Sequence, residues 1–275
     1  MSLSFCSFSS GSSGNCYMVK TEDTAVLIDA GISAKRILKE LDRTDTPWEK
    51  VKALFLTHEH HDHITGARVL LKKLKEAQVY ASAGTFKETN MRDHYKDHSF
   101  GKDISEERQL VIAPDEEVNI GDMKIRAFRT LHDAEEPYGY SISSENKRIA
   151  LITDTGAVTE EMLDNIADAD ILVLEANHDT EILRCGNYPV YLKKRILSDH
   201  GHLSNRQTAE ALLKLFDYLD KKRVVLLAHL SAENNTPAIA ERTVLTALAR
   251  EGRYTGSDLY MGVLLRDEAS LLYRL

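Results

Sequence analysis

Five apolar runs in this chain end on the same kind of residue. "ALFLT" runs into His58, "KIRAFRTL" into His132, "RIALIT" into Asp154, "ILVL" into Glu175 and "RVVLLA" into His229. Runs of this length and composition read as strands, and groups that an apolar core will not hold are driven to strand ends. The α/β folds are those that collect such groups at one sheet edge, where they place their ligands. Imidazole and carboxylate sharing an edge are the donors that a divalent transition metal takes.

The rest of the chain agrees with an α/β class. Further strands are expected at "LSFCSF", "CYMVK", "AVLIDA", "QVYAS" and "YGYSIS", and helical spacing occurs at 33–42, 64–76, 159–166, 204–219 and 236–250. The fourth helix is marked by Ala209, Leu212, Leu213 and Phe216. Strand pairs lead each half and helices alternate with later strands, so layers are favoured over one parallel sheet. The Ser/Gly cluster "SSGSSGN" at 9–15 reads as a hairpin turn rather than a linker. At 275 residues the chain fits one large domain. No run approaches a membrane span, "MSLSFCSFSSGSSG" has no signal-peptide pattern, and Cys6, Cys16 and Cys185 make no disulfide framework. A cytoplasmic protein with no membrane association and no obligate protein partner is expected.

The densest cluster is "THEHHDH", which continues the first run. In an H-x-H-x-D-H spacing across a strand-to-helix loop, His58 and His60 converge on one metal while Asp62 and His63 reach toward another; Glu59 and His61 point elsewhere. Three protein ligands and a water suit a catalytic ion, so His132 completes the first site, His229 the second, and Asp154 bridges. The donors are nitrogen and oxygen without thiolate, which admits Zn, Mn or Fe as two divalent ions.

The ordered set His58, His60, Asp62, His63, His132, Asp154 and His229, preceded by "LIDAG" at 27–31, resembles the metallo-β-lactamase superfamily of binuclear hydrolases. That resemblance implies a four-layer αββα sandwich with the metals at one sheet edge, and makes Asp29 a structural aspartate beside the histidine loop. "SSGSSGNCY", "LHDAEEPYGY", "LEANHD", "ILSDHGHLSN" and "LAHLSAENN" are similar to the YycJ/WalJ-type branch, associated with exonucleolytic attack on DNA. "LEAN" and "GHLSN" also resemble motifs of ribonuclease Z, the second imperfectly because Leu203 intervenes before Ser204. The β-CASP nucleases carry an extra domain between the bridging aspartate and the last histidine. The interval from Asp154 to His229 leaves no room for it, so residues 1–275 are expected to be one domain without that insertion.

Two ions activate a water and clamp both oxygens of an in-line displacement, which suits a phosphodiester. Asp62 would orient the attacking group as well as bind metal. The leaving alkoxide needs a proton, and Glu175 with His202 is expected to deliver it, the carboxylate hydrogen-bonding one ring nitrogen. His178, Lys194 and Arg195 are the candidates for contact with substrate, the last two with Lys193 in the basic stretch "YLKKRI". Tyr138 and Tyr140 can either stack a base or pack in the core. A formal net charge of −8 repels nucleic acid as a whole, so a nucleic-acid substrate requires such a local basic group. The expected activity is 5′-to-3′ DNA exonuclease action; the alternatives are a thioesterase or small-ester hydrolase of the glyoxalase II type and a regulatory binding module with structural metals.

Overall fold

In the computed structural model, which describes residues 2–91 and 104–275, the strands sort into two seven-stranded sheets. The first holds β1 (Ser4–Ser9), β2 (Cys16–Lys20), β3 (Ala25–Ile28), β4 (Val51–Phe55), β5 (Gln78–Ala81) and β6 (Gln109–Val111), side by side in chain order. The second holds β7 (Glu117–Ile120), β8 (Met123–Arg129), β9 (Tyr138–Ser144), β10 (Lys147–Ile152), β11 (Ile171–Glu175), β12 (Arg223–Ala228) and β13 (Leu259–Val263), likewise in sequence order. The last strand, β14 (Tyr273–Arg274), returns to pair with β1. Each sheet opens with antiparallel pairs and becomes parallel from β3 or β10 onward.

The helices are α1 (Ala34–Arg43), α2 (His61–Ile64), α3 (Ala67–Lys73), α4 (Ala83–Met91), α5 (Glu160–Ile166), α6 (Thr180–Cys185), α7 (Val190–Ile196), α8 (Asn205–Tyr218) and α9 (Pro237–Arg250). Side chains alternate across a strand, so strands buried on both faces feed two different cores. Phe55 on β4 and Val173 on β11 point between the sheets, where they join Phe5, Tyr17, Tyr138, Tyr140 and Leu226. Leu54 packs outward with Ile37, Leu41 and Leu70 from α1 and α3. Leu172 and Leu174 pack outward with Leu212 and Phe216 of α8 and Val244 of α9. Three apolar cores between four layers is the αββα sandwich that the resemblance implies, and Tyr138 and Tyr140 belong to its centre rather than to any surface.

Several helices carry their start signals in the sequence, with Ser33, Thr159 and Asp179 capping α1, α5 and α6. Ser204 caps α8 in a capping box with Gln207, and Thr236 caps α9 ahead of Pro237. The helix expected at 64–76 is instead two pieces, α2 and α3, interrupted at Thr65 and Gly66. There Gly66 N–H donates to Ala30 O at 2.7 Å, and a Cβ at 66 would lie 1.9 Å from Ile32 O. Only glycine lets the two segments touch. The expected hairpin turn at 9–15 joins the antiparallel pair β1–β2.

Three residues at the strand ends that face the metal donors have left-handed backbone: Asp29 (φ 59°), Asp154 (φ 54°) and His229 (φ 54°). This conformation costs a non-glycine residue about 1–2 kcal/mol and concentrates at functional sites. Among the described residues no helix is long and apolar enough to cross a membrane.

Candidate metal centre

The ends of β4, β8, β10, β11 and β12 converge on one mouth of the sandwich, and the side chains they carry meet there. His58, His60 and His132 place one donor atom each within 4.8 Å of one another, as do Asp62, His63 and His229, and as do His58, His63 and Asp154. His60 Nδ1 lies 3.3 Å from His132 Nε2; Asp62 Oδ2 lies 3.5 Å from the Nε2 atoms of both His63 and His229. Asp154 touches both groups, with Oδ2 at 3.3 Å from His63 Nε2 and Oδ1 at 3.8 Å from His132 Nε2.

The outer nitrogens of four of these rings are already occupied. Thr57 Oγ1 sits 3.0 Å from His58 Nδ1, Asp29 Oδ2 2.7 Å from His63 Nδ1, Gly201 O 3.0 Å from His132 Nδ1 and Glu175 Oε1 2.9 Å from His229 Nδ1. Bonds of this kind select the tautomer that turns a free Nε2 toward a metal. His58 Nε2, His229 Nε2 and Asp154 Oδ2 are buried with no hydrogen-bond partner, a cost that folded proteins rarely leave uncompensated. Divalent cations in the two histidine groups, with Asp154 reaching both, would satisfy all three atoms, so the donor set fits metal.

The charges point the same way. Burial pushes Asp154 up, but His229 and His63 beside it hold the carboxyl well below its ordinary range. Burial lowers His58 well below the usual imidazole value and lowers His132 to about 4, which leaves both rings neutral and able to ligate. Burial also opposes charge on His63 and His229, yet Asp29 and Asp154 hold His63 well above its ordinary value, and Asp154 with Asp62 raises His229 to about 10.

A family model described as a β-lactamase superfamily domain matches residues 24–230. The chain belongs to the metallo-β-lactamase superfamily. It is 36% identical to exodeoxyribonuclease YycJ of Bacillus anthracis, over 92% of this chain and 91% of that protein. It is 37% identical to exodeoxyribonuclease WalJ of Streptococcus pneumoniae serotype 2, over 90% and 89%. Among solved structures, the metallo-β-lactamase fold protein YhfI of Bacillus subtilis superposes with a TM-score of 0.70 at 16% identity, each chain covered completely, which speaks to the fold alone.

The superfamily site has a hub in Glu175, which is fully buried. Oε1 accepts from His202 Nδ1 at 2.7 Å and from His229 Nδ1 at 2.9 Å. Oε2 accepts from the N–H groups of Thr155 at 2.9 Å and Leu203 at 3.2 Å. Burial raises the Glu175 carboxyl, but the neighbouring His202 outweighs it and brings it down to about 2. His202 also lies 3.7 Å from Asp154 Oδ1 and is partly open to solvent. With His60 and Asp62, also partly exposed, it forms the open side of the site.

The proposed substrate contacts separate. His178 is completely enclosed, which withdraws it from direct contact with a substrate; burial lowers it to about 4. Lys193 is tethered by Nζ to Arg184 O at 2.7 Å and Gly186 O at 2.6 Å. Arg195 pairs with Asp133, whose Oδ1 is 3.2 Å from His132 Nε2, so it stands at the rim. Lys194 is exposed.

Some functional neighbours were not legible in the motifs. Asn15, fully buried in the Ser/Gly turn, accepts at Oδ1 from Gly11 N–H at 2.9 Å. That fixes Nδ2 toward Asp62 Oδ2 at 3.3 Å and His63 Nε2 at 3.1 Å. Ser10 Oγ accepts from His229 N–H at 2.9 Å. Gly31 permits the contact: a Cβ there would lie 1.6 Å from Asp62 O. An asparagine after "SSG" looks like turn chemistry, and only the preceding pair of glycines hints at close backbone approach.

Proposed function

We propose that this protein is a metal-dependent phosphodiesterase acting at DNA ends, a 5′-to-3′ exonuclease. The observation that carries the reading is His202: its ring is held by Glu175 at 2.7 Å and opens to solvent beside the metal donors. A phosphodiester needs such a group, because an alkoxide leaves poorly without a proton, whereas a thiolate leaves readily. The exodeoxyribonuclease relatives, which align along about nine-tenths of the chain, support DNA as the substrate.

In this reading two divalent ions, Zn, Mn or Fe, would be held by His58, His60 and His132 on one side and by Asp62, His63 and His229 on the other, with Asp154 offering a carboxylate to both groups. When bound, such ions supply an activated water and neutralise charge on the phosphate. Asp62 orients the attacking water through its carboxylate. His202 gives a proton from its outer ring nitrogen to the leaving oxygen, and Glu175 keeps the ring turned for that transfer. Lys194 and Arg195 attract the nucleic-acid backbone to the rim. Residues 1–275 act as one domain without a β-CASP insertion, in the cytoplasm.

The test is incubation of the purified protein, with manganese or zinc, with DNA labelled at the 5′ or the 3′ end, with RNA, and with a thioester panel. Stepwise release of the 5′ label as mononucleotide is the expected result. Turnover of thioesters with no cleavage of any nucleic acid would refute the reading.

A further inference from the structure

The helix α7 presents an unusual outer face for a protein of net charge −8. Its inward positions are Leu192, Lys193 and Ile196, which are partly or fully buried. Its outward positions are Val190, Tyr191, Lys194 and Arg195, spaced three and four apart so that they share one side of the helix. Val190 is 70% exposed and Tyr191 74% exposed. Two other exposed tyrosines are engaged: Tyr218 bonds Asp164, and Tyr260 lies under the Lys222 ammonium at 4.7 Å; Tyr254, also exposed, lies away from the basic stretch.

This face is fixed to the metal centre at its C-terminal end. Arg195 pairs with Asp133 beside His132, His202 N–H donates to Ile196 O at 3.0 Å, and Gly201 O accepts from the His132 ring at 3.0 Å. From the middle of the helix Lys193 ties α7 to the end of α6. The C-terminal end of α7 is thus joined to the loop that carries the proposed proton donor.

We propose that the outer face of α7 is a docking platform for the unpaired end of a nucleic-acid strand, in which one base stacks on Tyr191 and the adjoining phosphate is met by Lys194. A flat aromatic accepts any base, and an ammonium one turn further along meets the backbone without reading sequence. With Lys193 tethered and Arg195 paired to Asp133, the exposed ammonium of Lys194 is the charge on this face that complements a polyanion, which the acidic surface as a whole repels. The platform rests on the phosphodiesterase reading above and adds to it a preference for ends that are unpaired.

The experiment uses the metal-loaded protein and a fluorescent single-stranded oligodeoxynucleotide with phosphorothioate linkages, which resists cleavage, in a salt series. Tyr191→Ala is expected to weaken binding by roughly 5- to 100-fold, the loss of one stacked base, with the slope of log affinity against log salt unchanged. Tyr191→Phe keeps the ring and is expected to bind like the parent protein. Lys194→Ala is expected to make that slope shallower by about 0.7, the release of one counterion from a single strand. Both side chains are exposed, and matching melting curves establish that the variants fold. Unchanged affinity in Tyr191→Ala, or an equal loss in Tyr191→Phe, overturns the platform. A parent protein that binds the strand in this pattern but cleaves no phosphodiester overturns the catalytic reading and leaves the platform standing.

Discussion

Replacing Glu175 with glutamine separates what this carboxylate does for the fold from what it does for the metal. Its four partners are all donors: two backbone N–H groups on Oε2 and two imidazoles on Oε1. A glutamine has one oxygen to offer. The backbone groups of Thr155 and Leu203 have no alternative form, so the amide oxygen turns to them and the NH2 turns to His202 and His229. Imidazoles do have an alternative, because each can move its proton to Nε2 and accept at Nδ1. The fold then stays satisfied, and the chelator-treated variant is expected to melt within about 4 °C of the parent, a cost of ~1–2 kcal/mol. His229, however, now carries its proton on the nitrogen that faces Asp62. Making that nitrogen a ligand sets two N–H groups face to face, forfeiting a hydrogen bond of ~1 kcal/mol and stranding a buried donor at ~1–3 kcal/mol. The ion held by Asp62, His63 and His229 should therefore bind about 30- to 1,000-fold more weakly, at ~1.4 kcal/mol per decade. Competition with a chromophoric chelator measures this for each ion. A variant that retains every ion at parental affinity would show that Glu175 does not set the His229 tautomer.

Three further outcomes are expected. Asp29→Ala strips the buried acceptor from His63 Nδ1 at 2.7 Å and from the Thr57 N–H at 2.9 Å; thermal melting should fall by roughly 6–10 °C, as two stranded donors cost ~3–5 kcal/mol, and a change under 2 °C would contradict it. His202→Ala should keep its metal by elemental analysis yet lose about 10²–10⁴-fold in turnover of an alkoxide-leaving phosphodiester, the range of a positioned acid; a p-nitrophenolate ester, which leaves unaided, should lose far less, and equal losses would remove His202 as the acid. Metal affinity should also depend on pH in an ordered way. Burial opposes protons on His63 and His229, but the surrounding carboxylates hold both pKa values up, His229 at about 10, so an ion must displace those protons and its affinity falls as pH falls from 9 to 6. His132, lowered to about 4 by burial, yields no proton in that window. Equilibrium dialysis at stepped pH should show the Asp62, His63 and His229 group emptied first; simultaneous loss from both groups would count against the assignment.

The strand ends were legible because each juxtaposes two incompatible chemistries, an apolar run and a charged group, as at Leu174 and Glu175 or Ala228 and His229. The layers followed from strands apolar on both faces, which need a helix outside and a sheet inside. What escaped was short or local. The strands β6, β7, β13 and β14 have three to five residues or fewer and little alternation. The helices α6 and α7 each bury a single residue, Leu183 and Ile196, and so leave no amphipathic stripe to read. The helix break at Gly66 depends on a carbonyl of Ile32, which no pattern within 64–76 contains. The same holds for Glu175, whose pairing with His202 was expected from the motifs but whose second bond, to His229, spans 54 positions. Asn15 reaches Asp62 across 47 positions, and its neighbours in sequence announce only a turn.

The donors do not come from one half of the molecule. His58, His60, Asp62 and His63 hang from the first sheet, while His132, Asp154 and His229 hang from the second. The strand ladders of the two sheets do not run into each other, and the layers are held face to face by side chains such as Phe55 and Tyr140, whose rings are 5.3 Å apart. A cation seated among those donors is thus a rivet through both plates, set at the rim where leverage is greatest. Mechanical load that pries the plates apart from that rim would first have to pull nitrogen and oxygen off the ion, whereas load applied at the opposite rim meets packing and neutral-donor hydrogen bonds such as that from Thr21 Oγ1 to Asp122 Oδ1 at 2.8 Å. With an ion seated the sandwich would have a stiff lip and a softer base, and the stiff lip would be the one where the metal donors gather.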